Sequence, residues 1–402
     1  MSGAFPTSMN LTTKPPAVPA RSYRTNISPI NGSVFQPSST IKIDIPTGGS
    51  VFLDGKQSYL KFKIQNNGTA QLLLPGSALG MISRLEIYHG GQLLESIDQY
   101  NVITKAFLDA QSTPGWKGNA GICLWGTSST ASYGDSISSY VEESYCVPLM
   151  SGIIGSHLSK YTPLAVMDAA PLRLELTLTN QNGVSSTAVP IWQVLDVEYV
   201  AQLTELSADS MRMLRSALGG VVEISSESYR NYNYVIAQQQ TSVSEMIPCK
   251  FSSVKGVYTT FRKILEIESD EEPITKRTFP CSDTSNFRSQ YRLGSLNYPQ
   301  KAIQGIREHF GELMKSFHAV SDITTGDISF ANYSAEQFVL GQELESFAHS
   351  SDVLESGVNT LSQNTYIDLN LAGGAPSDIR MDVWAHFDQF LVVENGLASV
   401  RF

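Results

Sequence analysis

Few residues in this chain have the types and spacing that chemistry requires. Gly49-Ser-Val-Phe-Leu-Asp-Gly55-Lys56 has the outline of a phosphate loop, in which backbone N–H groups cradle phosphates and a lysine reaches the terminal one. Its glycines are separated by five residues, one too many for that loop, and Lys56 is followed by Gln57 where Ser or Thr would hold Mg²⁺. A glycine turn between strands accounts for the pattern better. Glu308, His309 and Glu312 share a helical stretch and offer one imidazole and two carboxylates, a set found more often on a solvated face than around a metal. The six histidines (His89, His157, His309, His318, His349, His386) show no ligand spacing. Glu268, Asp270, Glu271 and Glu272 read as an exposed acidic loop, with Ca²⁺ binding a distant second. Neither a GxSxG elbow nor an HExxH helix occurs. A paired-carboxylate glycosidase leaves no mark in spacing, because such pairs meet only in three dimensions; nothing favours one here. Trp116, Trp125 and Tyr133, in a Gly/Ser-rich segment, could stack on sugar rings or anchor a subunit contact, and aromatics anchor interfaces more often. The expectation is a protein that is not an enzyme, with no catalytic, cofactor-binding or metal residues.

Composition points the same way. The 402 residues suffice for two separate cores, and 42% hydrophobic content excludes wholesale disorder. Charged residues are only 16%, against roughly 25% in ordinary soluble domains. Ser, Thr, Asn and Gln supply the polarity, which suits β-structure and surfaces that pack against neighbours. A formal net charge of −10 argues against a protein that coats itself in nucleic acid. The cysteines Cys123, Cys146, Cys249 and Cys281 lack metal-clip spacing and read as unpaired thiols of a reducing compartment. No signal-peptide pattern and no run of about 18 apolar residues is present, so a soluble chain made in the cytosol is expected.

Strands should position whatever sites exist. Ile41-Lys-Ile-Asp-Ile45, Tyr59-Leu-Lys-Phe-Lys-Ile64 and Leu172-Arg-Leu-Glu-Leu-Thr-Leu178 alternate at period two, the mark of strands with one face on a core. Leu85-Glu-Ile-Tyr88 and Gln92-Leu-Leu-Glu95 flank His89-Gly90-Gly91, which reads as a hairpin. Val194 to Leu203 is a further long strand. Two segments look helical. One follows Ser96, which forms a capping box with Gln99 and precedes an apolar stripe to Leu108. The other runs from about Ala302 to Ala319, after Pro299. Residues 1–40 hold six of the 18 prolines and read as an extended arm.

The same order of elements occurs twice. A helix, a polar stretch and a strand (Leu174-Glu-Leu-Thr-Leu178) are followed by a strand bearing Asp196-Val197. The later helix precedes Ile367-Asp-Leu-Asn-Leu371 and then Asp382-Val383. Two β-sandwiches in tandem, residues 41–207 and 208–402, fit this order, with a boundary near Leu206-Ser-Ala-Asp209.

Several runs then resemble a known family. Pro148-Leu-Met-Ser-Gly-Ile-Ile-Gly155, Lys160-Tyr-Thr-Pro-Leu-Ala165 and Leu172-Arg-Leu-Glu-Leu176 look like the late first jelly roll of double jelly-roll major capsid proteins. Phe251-Ser-Ser-Val-Lys-Gly256 leading to Phe261-Arg262, Tyr291-Arg-Leu-Gly-Ser295 with Tyr298-Pro299, and the run from Asp388-Gln-Phe-Leu391 to Val400-Arg-Phe402 fit its second half. The likeness is strongest to capsid proteins of polinton-like viruses and virophages, with adenovirus hexon a distant cousin. This chain lacks the long surface insertions of larger relatives, which leaves its outer decoration open.

The resemblance implies an all-β double jelly roll with a few short helices. It implies a virion protein of a DNA virus, made in the host cytoplasm and needing no cofactor. Homotrimers would form pseudo-hexagonal capsomers and tile an icosahedral shell beside neighbouring capsomers, penton and minor capsid proteins. Direct nucleic-acid contact would be weak or absent, and no membrane span is expected. A jelly-roll lectin and a penton or minor capsid protein are the alternatives. In residues 1–40, Val18, Tyr23, Ile27, Ile30, Val34 and Phe35 are scattered apolar anchors, expected to dock on the chain's own trimer or a neighbouring one, on the inner side of the shell.

Overall fold

The computed structural model describes residues 17–129, 133–155, 157, 160–267, 269, 272–317, 328, 330–346 and 355–402. Eight strands build the first half: β1 (Ala20–Ile27), β2 (Thr40–Ile45), β3 (Tyr59–Asn66), β4 (Ile82–His89), β5 (Gln92–Asp98), β6 (Glu142–Val147), β7 (Leu172–Leu178) and β8 (Trp192–Leu206). Helix α1 (Tyr100–Gln111) lies between β5 and β6. After α2 (Ala208–Leu218) the second half repeats the series: β9 (Val221–Ile236), β10 (Ser242–Ile247), β11 (Val254–Lys263), β12 (Arg288–Leu293), β13 (Leu296–Gln304), helix α3 (Ile306–Ser316), β14 (Val339–Glu343), β15 (Thr365–Asn370) and β16 (Ile379–Glu394). A last strand, β17 (Leu397–Arg401), folds back on β16.

Each half is built on two antiparallel sheets with one strand order, to which the first adds a small sheet of Leu72–Leu73, Ser136–Ile137 and Ser185–Ser186. In the first they run β1-β8-β3-β6 and β2-β7-β4-β5, and in the second β9-β16-β11-β14 and β10-β15-β12-β13. The first strand of each half thus pairs with its eighth and the second with its seventh, which is the jelly-roll connection. Two-layer packing follows from the alternation: Leu172, Leu174, Leu176 and Leu178 are buried in one core, and Ile367, Leu369 and Leu371 in the other. On the solvent side of β7, Arg173 pairs with Asp44 of β2 at 2.8 Å and Glu175 with Lys42 at 3.1 Å. The β4–β5 hairpin forms at the expected glycines, whose positive φ (58° at Gly90, 83° at Gly91) a residue with a Cβ would adopt only under strain.

Three sequence expectations need correction. Residues 1–40 are not an arm throughout. From Ala20 to Ile27 they are β1, paired residue for residue with β8 from Leu206 back to Tyr199, and Val34–Phe35 also pairs β8. Without β1 the first jelly roll would have seven strands. Its polar composition is that of an edge strand, in which Tyr23, Thr25 and Ile27 are half-buried and Arg24 and Asn26 face water. The capping box at Ser96 does not form, because Ser96 is in β5; α1 begins after Gln99, which takes the left-handed conformation at φ 51° and uses its side chain elsewhere. The second helix is shorter than its stripe, since Ala302 and Ile303 belong to β13, whose ladder with β12 claims their backbone groups.

Deleting residues 1–30 should lower the melting temperature of the chain, because it strips the eight-residue β1 ladder from one edge of β8, leaving only Val34–Phe35 there, and uncovers half-buried side chains. Unchanged melting, followed by circular dichroism, would mean that β1 contributes nothing to the fold.

Candidate functional site: the seam between the two jelly rolls

The residues nominated for chemistry do not converge. Asp54 accepts hydrogen bonds from the backbone of Lys56 (3.1 Å) and Gln57 (3.3 Å), so the would-be phosphate loop is a turn closed by its own side chain. His309 is a satisfied core histidine, held by Ser289 Oγ at 2.8 Å and the Gly305 carbonyl at 2.7 Å, and burial pulls its pKa down to about 4. Glu308 accepts from the Gln304 backbone and Glu312 pairs with Lys315 at 3.4 Å, so neither shares a ligand position with His309. Glu272 pairs with Lys276 at 2.9 Å; Glu268, Asp270, Glu271, His318 and His349 lie outside the described residues. All four cysteines are unpaired. Trp116 and Trp125 pack edge to face at 5.2 Å, while the Tyr133 hydroxyl reaches Glu272 at 3.4 Å, so the three aromatics make no common platform for a sugar ring. Among the described residues no group of three His, Cys, Asp or Glu side chains could hold a metal.

What the fold does gather is a buried polar seam where the halves meet. The second half turns the outer face of its β9-β16-β11-β14 sheet onto α1 and β5 of the first. That face supplies Val222, Ile224, Tyr229, Tyr258, Trp384 and Leu391 to the first core, while Val383 and Ala385 point into the second. Strand β16 is therefore covered on both sides. At the centre, the Phe107 ring of α1 meets Tyr229, Tyr258 and Phe317 at centroid distances of 5.2–5.3 Å.

Ions stitch this apolar contact. Asp109 of α1 is fully buried and accepts from Lys105, from Lys117 (3.0 Å) and, across the seam, from Arg277 (2.6 Å). Burial would push this carboxyl up, but the charges of Lys105, Arg277 and Lys117 outweigh it and hold Asp109 well below the usual carboxylate range. Burial also brings Lys105 down to about 8 against the pull of Asp109, so both are ionised at neutral pH. Arg262 of β11 donates to Asp382 (2.7 Å), to the Ile274 carbonyl (3.0 Å) and, across the seam, to the Gln99 side chain (2.7 Å). Desolvation lowers its pKa, and Asp382 opposes this.

Further along, Glu95 of β5 accepts from Ser228 Oγ of β9 (2.7 Å), from the Gly152 N–H (3.0 Å) and from Ser151. Its pKa is raised by burial despite these donors. A Cβ on Gly152 would stand 2.3 Å from the Glu227 carbonyl, so only glycine permits this backbone to lie against β9. Trp384 donates its indole N–H to the Asp98 carbonyl (3.2 Å), and the Ala398 N–H of β17 donates to His89 Nδ1 (3.1 Å). These residues escaped the sequence reading. The available signal was Lys105 and Asp109 one turn apart in a helix whose remaining face is apolar, a pairing that is costly to bury unless partners arrive from elsewhere.

No family model matches the sequence, and neither does any curated protein. Solved structures do match in fold over nearly the whole chain. PBCV-1 VP54, as fitted into a reconstruction of the virophage Sputnik, superposes with a TM-score of 0.68 at 11% identity, covering 98% of this chain and 99% of that one. The Faustovirus major capsid protein gives 0.64 at 10% identity, covering 97% and 93%. The mavirus major capsid protein gives 0.53 at 10%, covering 99% and 93%. With paired sheets of one strand order in each half and a fold shared with these structures, the chain has the double jelly-roll fold of viral major capsid proteins.

Proposed function

We propose that the chain is a major capsid protein of a DNA virus, a structural component of the virion with no enzymatic role. Three copies would associate into a capsomer, and capsomers would tile an icosahedral shell. The observation that supports this best is the pairing of two jelly rolls of identical strand order, held side by side within one chain. Three such chains around an axis present six sandwiches, and so a nearly hexagonal outline that packs in a plane. In this reading the halves divide near Ser207, and neighbouring capsomers, penton and minor capsid proteins are the partners. Low charge density favours wide contacts between copies with little like-charge repulsion. The net charge of −10 fits weak or no contact with nucleic acid. Among the described residues no helix is long and apolar enough to cross a membrane.

Light scattering on purified protein tests this directly. The expected mass is three times 43.9 kDa, and concentrated protein or protein expressed with its partners should give particles in electron micrographs. A monomer at all concentrations would remove the proposal.

A further inference from the structure

A cleft of about 610 Å³ opens beside α1, within the ~300–1,000 Å³ range of small-molecule sites. Its walls are apolar and come from several elements: Phe107 and Leu108 of α1, Trp116 and Trp125 of the two short helices that follow, and Leu79 and Met150. One end is polar. Lys56 and His157 both line it, and the Gly55 backbone lies against residues 154–155, where an added Cβ would stand 2.8 Å from the Ile154 carbonyl. Two features there lack an internal explanation. His157 Nδ1 is shielded from water and has no hydrogen-bond partner among the described residues, although its ring packs on Tyr229 at 5.5 Å. Buried polar nitrogens are seldom left so. The Lys56 ammonium is exposed at the rim, and no acid is among the described residues lining the cleft.

We propose that this cleft binds an apolar monocarboxylate of the fatty-acid type, its chain between the tryptophans and Phe107 and its carboxylate at Lys56. The ring of His157 is neutral near pH 7, since burial and then the charge of His386 bring its pKa down to about 4. With Nδ1 out of a ligand's reach, the neutral ring adds no charge to the polar end, and Lys56 supplies the counter-charge for a carboxylate. An organic cation would meet Lys56 with the wrong sign. This inference is independent of the capsid reading, since the cleft lies within one chain.

Dodecanoate is a suitable probe, titrated into the full chain and followed by tryptophan fluorescence and calorimetry. The expected result is saturable binding of one dodecanoate per chain, with dodecyltrimethylammonium failing to compete. Lys56→Glu should weaken binding at least tenfold and Lys56→Gln by less; Lys56 is exposed, so neither variant should disturb folding. Absence of saturable binding below micelle-forming concentrations, equal affinity for the cationic detergent, or an unchanged affinity in Lys56→Glu would each overturn the proposal.

Discussion

Replacing Asp109 with Asn should destabilise the chain by roughly 3–5 kcal/mol at neutral pH, the usual cost of removing one member of a buried ion cluster. The side chain is fully buried, and Lys105, Lys117 and Arg277 would lose the charge they share. Arg277 reaches Asp109 across the seam, so the loss should loosen the halves from each other as well as weaken α1. The pH dependence has a definite sign. Asp109 is held below its unfolded value, so its contribution is full above the unfolded pKa near ~3.9 and fades as pH falls toward the folded one. Glu227 behaves alike: burial would raise it, but His386 (3.0 Å) and Lys255 (2.5 Å) together hold it low. Glu95 has the opposite sign, because burial raises its folded pKa and its ionisation weakens the fold as pH rises. The urea midpoints of wild type and Asp109→Asn should therefore lie far apart at pH 7 and draw together below about pH 4. A gap that stays constant with pH would mean that Asp109 acts by packing alone.

Leu176→Asp should abolish soluble folded protein. Leu176 is fully buried in β7, opposite Ile41 of β2 and Leu85 of β4. Truncating such a leucine costs about 2–5 kcal/mol, and placing a carboxyl there without a partner adds several more. That sum rivals the whole stability of an ordinary domain, about 5–15 kcal/mol. Glu175→Ala, one position along, is the control. Its side chain faces outward toward Lys42, and partly exposed pairs are worth about 0–1 kcal/mol. Soluble Leu176→Asp protein of wild-type melting temperature would contradict the inward orientation of this strand.

The sequence disclosed the fold wherever one face of an element met water. Leu172 to Leu178 alternates because β7 is covered on one side only, and the burial follows the letters. Strand β16 is covered on both sides, so Met381 to Ala385 is buried continuously and carries no period by which to assign a partner. Strand β1 failed in the opposite way, since an edge strand with Ser22, Arg24 and Asn26 on its open face reads as coil. The seam was the least legible part. Asp109 and Arg277 are joined by no local pattern, and only the folded chain brings them within hydrogen-bonding distance. Glu95 likewise looked like the end of a hairpin strand, and nothing nearby announces Ser228 as its donor.

The pairing of first strand with eighth also sets a timetable. In β1–β8, Ala20 lies opposite Leu206, and in β9–β16, Val221 lies opposite Glu394. Each unit is thus closed by its own ends, the contacts of greatest loop entropy and slowest formation. During synthesis β1 waits for β8 with its edge open, and β9 in its turn waits for β16. A nascent chain in this state exposes unpaired strand edges, the kind of surface that misassociates when copies are crowded. Rapid, high-level production should therefore strain this chain through its order of closure, independently of how stable the finished molecule is.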